Sequence, residues 1–119
     1  MEEKLKKVLV VEDSETWSKI IKRGLGDKVL VLFALDMVKG AKIFRENPDI
    51  ALVIMDACVP GDEPNTQILV REIRKTFSGP MIAMSSMPMY RKELLRAGCD
   101  YEVEEKEQAA KKALELLGI

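Results

Sequence analysis

Residues 50 to 61 read Ile-Ala-Leu-Val-Ile-Met-Asp-Ala-Cys-Val-Pro-Gly, and this stretch decides the fold. The apolar residues continue without a break from Ile50 to Met55, and the run ends in the carboxylate of Asp56. Pro60 and Gly61 then favour a turn. A short apolar run closed by turn residues is typical of a strand that is buried on both faces of a parallel sheet. We therefore expect Asp56 at the carboxyl end of a central strand, the edge at which open α/β sheets bind their ligands.

A second predicted strand also ends in carboxylates. Lys7 to Val11 is short and rich in β-branched residues, and it leads directly into Glu12 and Asp13. If the two strands are parallel neighbours, three carboxylates meet at one edge of the sheet. Such groups repel one another unless a cation lies between them, and oxygen ligands alone favour a hard ion. The sequence therefore predicts a Mg²⁺ site at Glu12, Asp13 and Asp56.

The composition limits the class of protein. The 119 residues suffice for one core, and we expect one domain over residues 1–119 without an output domain. A net charge of −1 without a basic block gives no support for nucleic-acid binding, and no apolar run is long enough to span a membrane. Two cysteines are too few for a disulfide framework, which favours a cytoplasmic protein. The absence of histidine excludes catalysis and metal binding by that residue within this chain.

Strand and helix patterns alternate along the chain. Strands are predicted at residues 7–11, 29–35, 50–56, 81–84 and 101–104. The first helix is predicted at 15–25, after a cap at Ser14 and with Trp17 on its apolar face. The other helices are predicted from a cap at Asp36 to a stop at Asn47, from a cap at Asn65 or Thr66 along a stripe to Phe77, at 89–96 and at 107–117. Five βα units in this order predict a parallel sheet with right-handed crossovers and helices on both faces.

With these elements in place, the chain resembles the receiver domain of response regulators in two-component signalling, a family that includes the chemotaxis receivers. The matching segments are Val-Val-Glu-Asp at 10–13, Ile-Met-Asp-Ala-Cys-Val-Pro-Gly at 54–61, Met-Ser-Ser at 84–86 and Ala-Gly-Cys-Asp at 97–100. The resemblance covers essentially the whole chain. It implies a flavodoxin-like α/β fold, with five parallel strands in the order 2-1-3-4-5 and five helices on both faces.

The resemblance also implies roles for residues at the carboxyl edge. Asp56 matches the phosphoryl acceptor, since a carboxylate can attack phosphorus and form an aspartyl phosphate. Glu12 and Asp13 match the acidic pair that holds Mg²⁺ together with Asp56 and a backbone carbonyl, which here is that of Cys58. Ser85 matches a hydroxyl that moves to bond the phosphoryl group.

The family's lysine does not fall on a lysine in this sequence. In receivers it follows the fifth strand and pairs with the phosphoryl group. Counting from Ala97 and Gly98, its position falls on Glu105, and Lys106 comes one residue later with no proline after it. A bulge of one residue would bring Lys106 into the site. Otherwise Lys106 is a solvated residue at the start of the last helix, and both interpretations stay open at this point.

The function implied is that of a signalling module rather than an enzyme, since a receiver catalyses at most its own phosphorylation and dephosphorylation. A sensor histidine kinase or a histidine phosphotransfer protein would supply the phosphoryl group. The signal would pass by contact to a downstream protein target.

Two other functions are kept as alternatives. A pseudo-receiver would use the same fold as a docking module that does not depend on phosphorylation. A hydrolase of the haloacid dehalogenase type would need a second aspartate two residues after the nucleophile. This chain has Cys58 there, so the hydrolase ranks last.

Overall fold

Strands and helices alternate along the chain as the sequence predicts. The computed structural model describes residues 4–59 and 64–119. The elements are β1 (Lys6–Val11), α1 (Glu15–Leu25), β2 (Val29–Ala34), α2 (Met37–Glu46), β3 (Ile50–Asp56), α3 (Gln67–Arg74), β4 (Met81–Met84), α4 (Pro88–Ala97), β5 (Tyr101–Val103) and α5 (Glu107–Leu117). The predicted turn at Pro60 and Gly61 lies outside the described residues.

The strands form one parallel sheet in the order β2-β1-β3-β4-β5. The predicted flavodoxin-like order 2-1-3-4-5 is therefore confirmed. β3 lies in the centre between β1 and β4, which explains why its apolar run has no polar alternation. Within the described ranges, no helix has both the length and the apolar character needed to cross a membrane.

Helices cover both faces of the sheet because successive side chains of each strand point to opposite faces. Leu9 and Val11 of β1 pack into a core with residues of α2, α3 and α4. Val8 and Val10 pack on the other face with residues of α1 and α5. Each face of the sheet thus carries its own apolar core.

The helices α1 and α5 approach each other closely. A Cβ atom added to Gly24 of α1 would lie only 2.6 Å from the Cβ of Ala110 in α5. Ala109 and Ala113, on the same side of α5, are fully buried. Small residues on both helices therefore let α5 pack tightly against α1 and the sheet.

The first two predicted helix caps are present. The Oγ of Ser14 accepts a hydrogen bond from the N–H of Trp17 at 3.2 Å, and the Oδ1 of Asp36 accepts one from the N–H of Lys39 at 2.8 Å. Each side chain satisfies a backbone donor that the first turn of a helix leaves without a partner.

The predicted side-chain cap of α3 is wrong. Thr66 occupies the N-cap position without a capping hydrogen bond, because its hydroxyl donates instead to the carbonyl of Asp56 at 2.7 Å. The Asn65 side chain also bonds elsewhere. Its Oδ1 accepts from the N–H of Val59 at 2.8 Å, and its Nδ2 donates to the carbonyl of Val59 at 2.9 Å. Both side chains stabilise the segment after β3 instead of the helix start.

Three predicted element ends shift inward. β2 ends at Ala34 and β5 at Val103, each one residue earlier than the pattern indicates. α3 ends at Arg74, although its apolar stripe continues to Phe77. Phe77 still packs against the core on that face, so the stripe marks burial beyond the end of the helix.

Candidate functional site

The register of the two central strands brings the acidic residues together. Val11 of β1 pairs with Met55 of β3, so the next residues, Glu12 and Asp56, lie level at the carboxyl edge. One carboxylate oxygen from each of Glu12, Asp13 and Asp56 lies within 4.8 Å of the other two. The clustering of these carboxylates follows from strand ends that share an edge.

The three carboxylates differ in exposure. The side chain of Glu12 is inaccessible to solvent, Asp56 retains 6% of its accessible surface, and Asp13 is half-buried. A buried carboxylate loses its hydration, which is unfavourable unless a cation or hydrogen-bond donors replace the water. The cluster therefore needs positive charge.

Lys106 supplies such a charge. Its Nζ donates a hydrogen bond to the Oε1 of Glu12 and lies 3.3 Å from the Oδ2 of Asp56. Glu105, at the position that the family's lysine would occupy, is exposed, and its N–H donates to the side chain of Gln108 at 3.0 Å. The sequence left open whether Lys106 lies in the site or in solvent. In the structure its ammonium lies in the site, beside Glu12 and Asp56.

The close approach of these groups shifts their pKa values. Burial raises the pKa of Glu12 to about 8, and the hydrogen bond with Asp56 adds to this effect while Lys106 opposes it. Burial lowers the pKa of Lys106, but the hydrogen bond to Glu12 and the charge of Asp56 outweigh burial and raise it overall. At neutral pH the lysine is therefore charged, and the acidic cluster holds a proton in the absence of another cation.

The first turn of α1 joins this network. The Oε2 of Glu12 accepts from the N–H of Ser14 at 3.4 Å, and Ser14 caps α1 through the N–H of Trp17. The indole ring of Trp17 in turn lies beneath Lys106, whose Nζ is 5.5 Å from the ring centroid. These contacts link the start of α1 to the start of α5 through the acidic cluster.

Asp56 is also held from its own side of the site. Its carbonyl accepts the Thr66 hydroxyl, and its Oδ1 accepts from the N–H of Cys58 at 3.4 Å. The Cys58 residue, whose carbonyl was predicted as a metal ligand, borders the same cavity as Asp56. The side chain of Asp56 is therefore positioned before any ligand arrives.

Ser85 follows β4 directly and borders the cavity on the side opposite β1. Its side chain is largely buried, and its Oγ accepts from the N–H of Met87 at 3.1 Å. The Nη1 of Arg91 donates to the carbonyl of Ser85 at 2.8 Å, and its Nε pairs with Glu102 of β5 at 2.7 Å. The backbone at Ser85 is thus fixed, while the hydroxyl proton can point into the cavity.

These side chains surround an open cavity of about 530 Å³. Its lining residues are Asp13, Asp56, Cys58, Ser85, Ser86, Met87, Tyr90 and Lys106. The cavity has room for a small anionic group above Asp56. All of the predicted site residues except the buried Glu12 line it.

The donor set suits Mg²⁺. The ion takes oxygen ligands at about 2.0–2.1 Å in an octahedron, so neighbouring ligand oxygens lie about 3 Å apart and opposite ones about 4 Å apart. One carboxylate oxygen from each of Glu12, Asp13 and Asp56 lies within 4.8 Å of the other two, which is close to these spacings. Hard carboxylate donors without any nitrogen or sulfur ligand favour this class of ion.

Sequence reasoning missed three residues of the site. Trp17 was identified only as part of the apolar face of α1, Thr66 only as a helix cap, and Arg91 not at all. Trp17 contacts Lys106 at the far end of the chain, Thr66 contacts Asp56 ten residues before it, and Arg91 contacts Ser85 six residues before it. A hydroxyl ten residues after Asp56 gave the only local hint, and it fitted a cap equally well.

Comparison with known proteins supports the fold. The sequence matches no protein-family model and no curated protein. Solved structures do match. A putative response regulator from Chloroflexus aurantiacus is 18% identical with a TM-score of 0.81, over 98% of this chain and 100% of the other. Chemotaxis protein CheY4 of Vibrio cholerae is 18% identical with a TM-score of 0.78, over 94% and 98%.

A third solved structure is also similar to this chain. A CheY-like receiver domain protein from Methanospirillum hungatei is 21% identical with a TM-score of 0.77, over 96% of this chain and 94% of the other. At such identities, similarity establishes the fold alone. The chain therefore has the fold of response-regulator receiver domains.

Proposed function

We propose that the chain is a phosphoacceptor receiver domain of a two-component system, with Asp56 as the acceptor. The observation that carries the proposal is the placement of Asp56. Its carboxylate lies at the floor of the cavity, beside two further carboxylates and 3.3 Å from the ammonium of Lys106. This arrangement combines a nucleophile with the positive charge that an incoming phosphoryl group requires.

The chemical step is transfer of a phosphoryl group from nitrogen to oxygen. A carboxylate oxygen of Asp56 forms a bond to phosphorus, and the bond between phosphorus and the donor's imidazole nitrogen breaks. The imidazole keeps the electron pair of that bond and takes up a proton. Asp56 attacks as a carboxylate, so the step requires no general base.

Glu12, Asp13, Asp56 and the backbone carbonyl of Cys58 would hold Mg²⁺ in this proposal. The ion supplies neutralisation of the charge on the phosphoryl oxygens. Lys106 supplies a second positive charge through its contacts with Glu12 and Asp56. Ser85 is placed to donate its hydroxyl proton to a phosphoryl oxygen, because its Oγ already accepts from Met87 and keeps its proton available.

The partners in this proposal are a sensor histidine kinase or a histidine phosphotransfer protein as donor, and a downstream protein that recognises the phosphorylated state. An added phosphoryl group carries about −1.5 to −2 charge at neutral pH. Ser85 and Lys106 would reorganise around that charge, and both adjoin elements at one side of the molecule, α4, β5 and α5. A two-state surface there would carry the signal.

The proposal is tested by intact-mass measurement after incubation with acetyl phosphate, with Mg²⁺ or with EDTA. The expected result is a gain of one phosphoryl group that requires Mg²⁺ and is lost in Asp56→Asn. Asp49→Asn is the matched control, because Asp49 is an exposed carboxylate just before the opposite end of β3 and should leave labelling unchanged.

Three results would contradict the proposal. Labelling that persists in Asp56→Asn would place the acceptor elsewhere. No labelling of the wild-type chain by acetyl phosphate or by a phosphorylated histidine phosphotransfer protein would favour the docking-module alternative. Steady turnover of small phosphate esters would instead favour the hydrolase.

A further inference from the structure

Lys106 is an unusual element of the site because it is a long, flexible side chain in a restricted position. Its side chain keeps 25% of its accessible surface, and the loss of conformational entropy opposes the immobilisation of a lysine side chain. No proline follows it to stiffen the backbone. Its two carboxylate partners attract the charge, but they do not restrict the aliphatic stem.

The indole ring of Trp17 provides a third contact for Lys106. The Nζ of Lys106 lies over the ring at 5.5 Å from its centroid, within the range of a cation–π interaction. Trp17 itself is half-buried in the first turn of α1, and its backbone N–H donates to the Ser14 cap at 3.2 Å. The backbone that carries the indole is therefore held at the start of α1, with the ring face against the ammonium.

The contacts close into a ring of four residues. Lys106 donates to the Oε1 of Glu12, and the Oε2 of the same carboxylate accepts from the N–H of Ser14. Ser14 accepts from Trp17, whose indole lies under Lys106. Each member thus restricts the next, and within residues 4–59 and 64–119 the indole of Trp17 is the only aromatic group found over the Lys106 ammonium.

We propose that Trp17 is the positioning residue of the site, whose indole face holds the Lys106 ammonium over Glu12 and Asp56. Trp17 takes no part in bond formation. Trp17 acts through Lys106. This lysine lies one residue beyond the family position and has no proline after it, and Trp17 orients its ammonium instead. The consequence for phosphoryl uptake rests on the proposed function, whereas the positioning itself does not.

The first test observes Lys106 in the resting protein, in EDTA and without a phosphodonor. The εCH₂ signal of Lys106 is assigned in a ¹H–¹³C spectrum by its loss in Lys106→Arg. We expect ring-current-shifted and motionally restricted εCH₂ protons in the wild type. Trp17→Leu should move the signal to the position of a solvated lysine and increase its mobility, while Trp17→Phe, which keeps an aromatic face, should give an intermediate signal.

The structure offers a matched control in a second lysine–aromatic pair. The Nζ of Lys112 lies 4.9 Å from the ring centroid of Tyr101. Tyr101→Leu removes that ring and should shift the Lys112 signal without moving that of Lys106. Thermal unfolding of each variant shows that the compared proteins are folded.

The second test measures the rate of phosphoryl uptake from acetyl phosphate with Mg²⁺. Trp17→Leu should lower the rate roughly two- to thirty-fold, the span that corresponds to cation–π energies. The same substitution in a Lys106→Met background should have no further effect, because no ammonium is left to position.

The outcomes separate the two proposals. A Lys106 signal that is unchanged in Trp17→Leu overturns the positioning role, as does an equal rate loss with and without the lysine. A signal that moves with Trp17 supports the positioning role even if the wild-type chain takes up no phosphoryl group. In that last case it is the proposed function that fails.

Discussion

The Nζ of Lys106 lies 3.3 Å from the Oδ2 of Asp56, although the strands that lead to these residues do not pair. β4 lies between β3 and β5, so the lysine reaches across the end of one strand. Its length permits this reach, and the tight turn after β5 places its Cα at the start of α5. The ammonium consequently contacts both Asp56, at the end of β3, and Glu12, directly after β1.

Replacing Lys106 by methionine should destabilise the protein in EDTA at neutral pH. Glu12 and Asp56 would be left buried without a cation, which we expect to lower the free energy of unfolding by about 1–3 kcal/mol. Excess Mg²⁺ should recover most of the loss, since it restores positive charge to the carboxylates. Urea unfolding with and without Mg²⁺ measures both effects. Lys112→Met is the control on α5, and an equal, Mg²⁺-independent loss in the two variants would contradict this prediction.

Stability should depend on pH through Glu12. A carboxyl whose pKa is raised in the folded protein binds its proton more tightly there than in the unfolded chain. This stabilisation is complete below the ordinary value of 4.5 and is lost as pH rises through about 8. In EDTA, Glu12→Gln should therefore become progressively more stable relative to wild type between pH 5 and pH 9.

Urea unfolding at several pH values in that window measures the difference. The exposed Glu115→Gln on α5 is the control and should give a profile parallel to that of the wild type. Parallel profiles for Glu12→Gln and wild type would show that the Glu12 carboxyl titrates alike in the folded and unfolded protein.

The fold and the acidic half of the site follow from local patterns. The strand that ends at Asp56 and the strand that leads into Glu12 were predictable because continuous apolar runs mark buried parallel strands, and the carboxyl ends of such strands share an edge. The hydrogen bonds of Ser14 and Asp36 were also predictable, because a cap bonds a residue only three positions away.

The remaining contacts depend on tertiary distances that no local pattern encodes. The Thr66 hydroxyl had two possible partners, and the carbonyl of Asp56 proved to be the one within reach. The placement of Lys106 depends on how the chain turns after β5, which is only three residues long. Trp17 fitted an apolar helix face, and its second contact, with Lys106, involves a residue at the far end of the chain.

The two cysteines should differ in reactivity. Cys99 is 6% exposed, and burial raises the pKa of its thiol to about 12, so it carries almost no thiolate at neutral pH. Cys58 is half-buried and borders the open cavity. Iodoacetamide at pH 7.5 should therefore modify one thiol in the native protein and two in urea, as counted by intact mass. Cys58→Ser should abolish the native modification, whereas rapid labelling of that variant would show that Cys99 is accessible.

The contact between α1 and α5 should penalise a larger residue at position 24. Gly24→Ala gains about 1 kcal/mol of helix propensity, but its Cβ would collide with that of Ala110, and overpacking costs about 1–3 kcal/mol. We expect a net loss of stability in urea unfolding. In an Ala110→Gly background the same substitution should stabilise, because the collision is gone. Equal effects of Gly24→Ala in the two backgrounds would mean that the helices separate without cost.

Because Lys106 lies at the start of α5, a movement of α5 would change the position of the ammonium at the carboxyl edge of the sheet. Lys106 occupies the N-cap position of α5, so its Cα moves with the helix and not with β5. The buried alanines of α5 pack it closely against α1. A protein that shifts α5 by binding its outer face would withdraw or advance the ammonium over Asp56. The coupling is reciprocal. If binding of that protein to α5 changes the affinity of Asp56 for a charged ligand by some factor, binding of the ligand at Asp56 changes the affinity of the protein for α5 by the same factor.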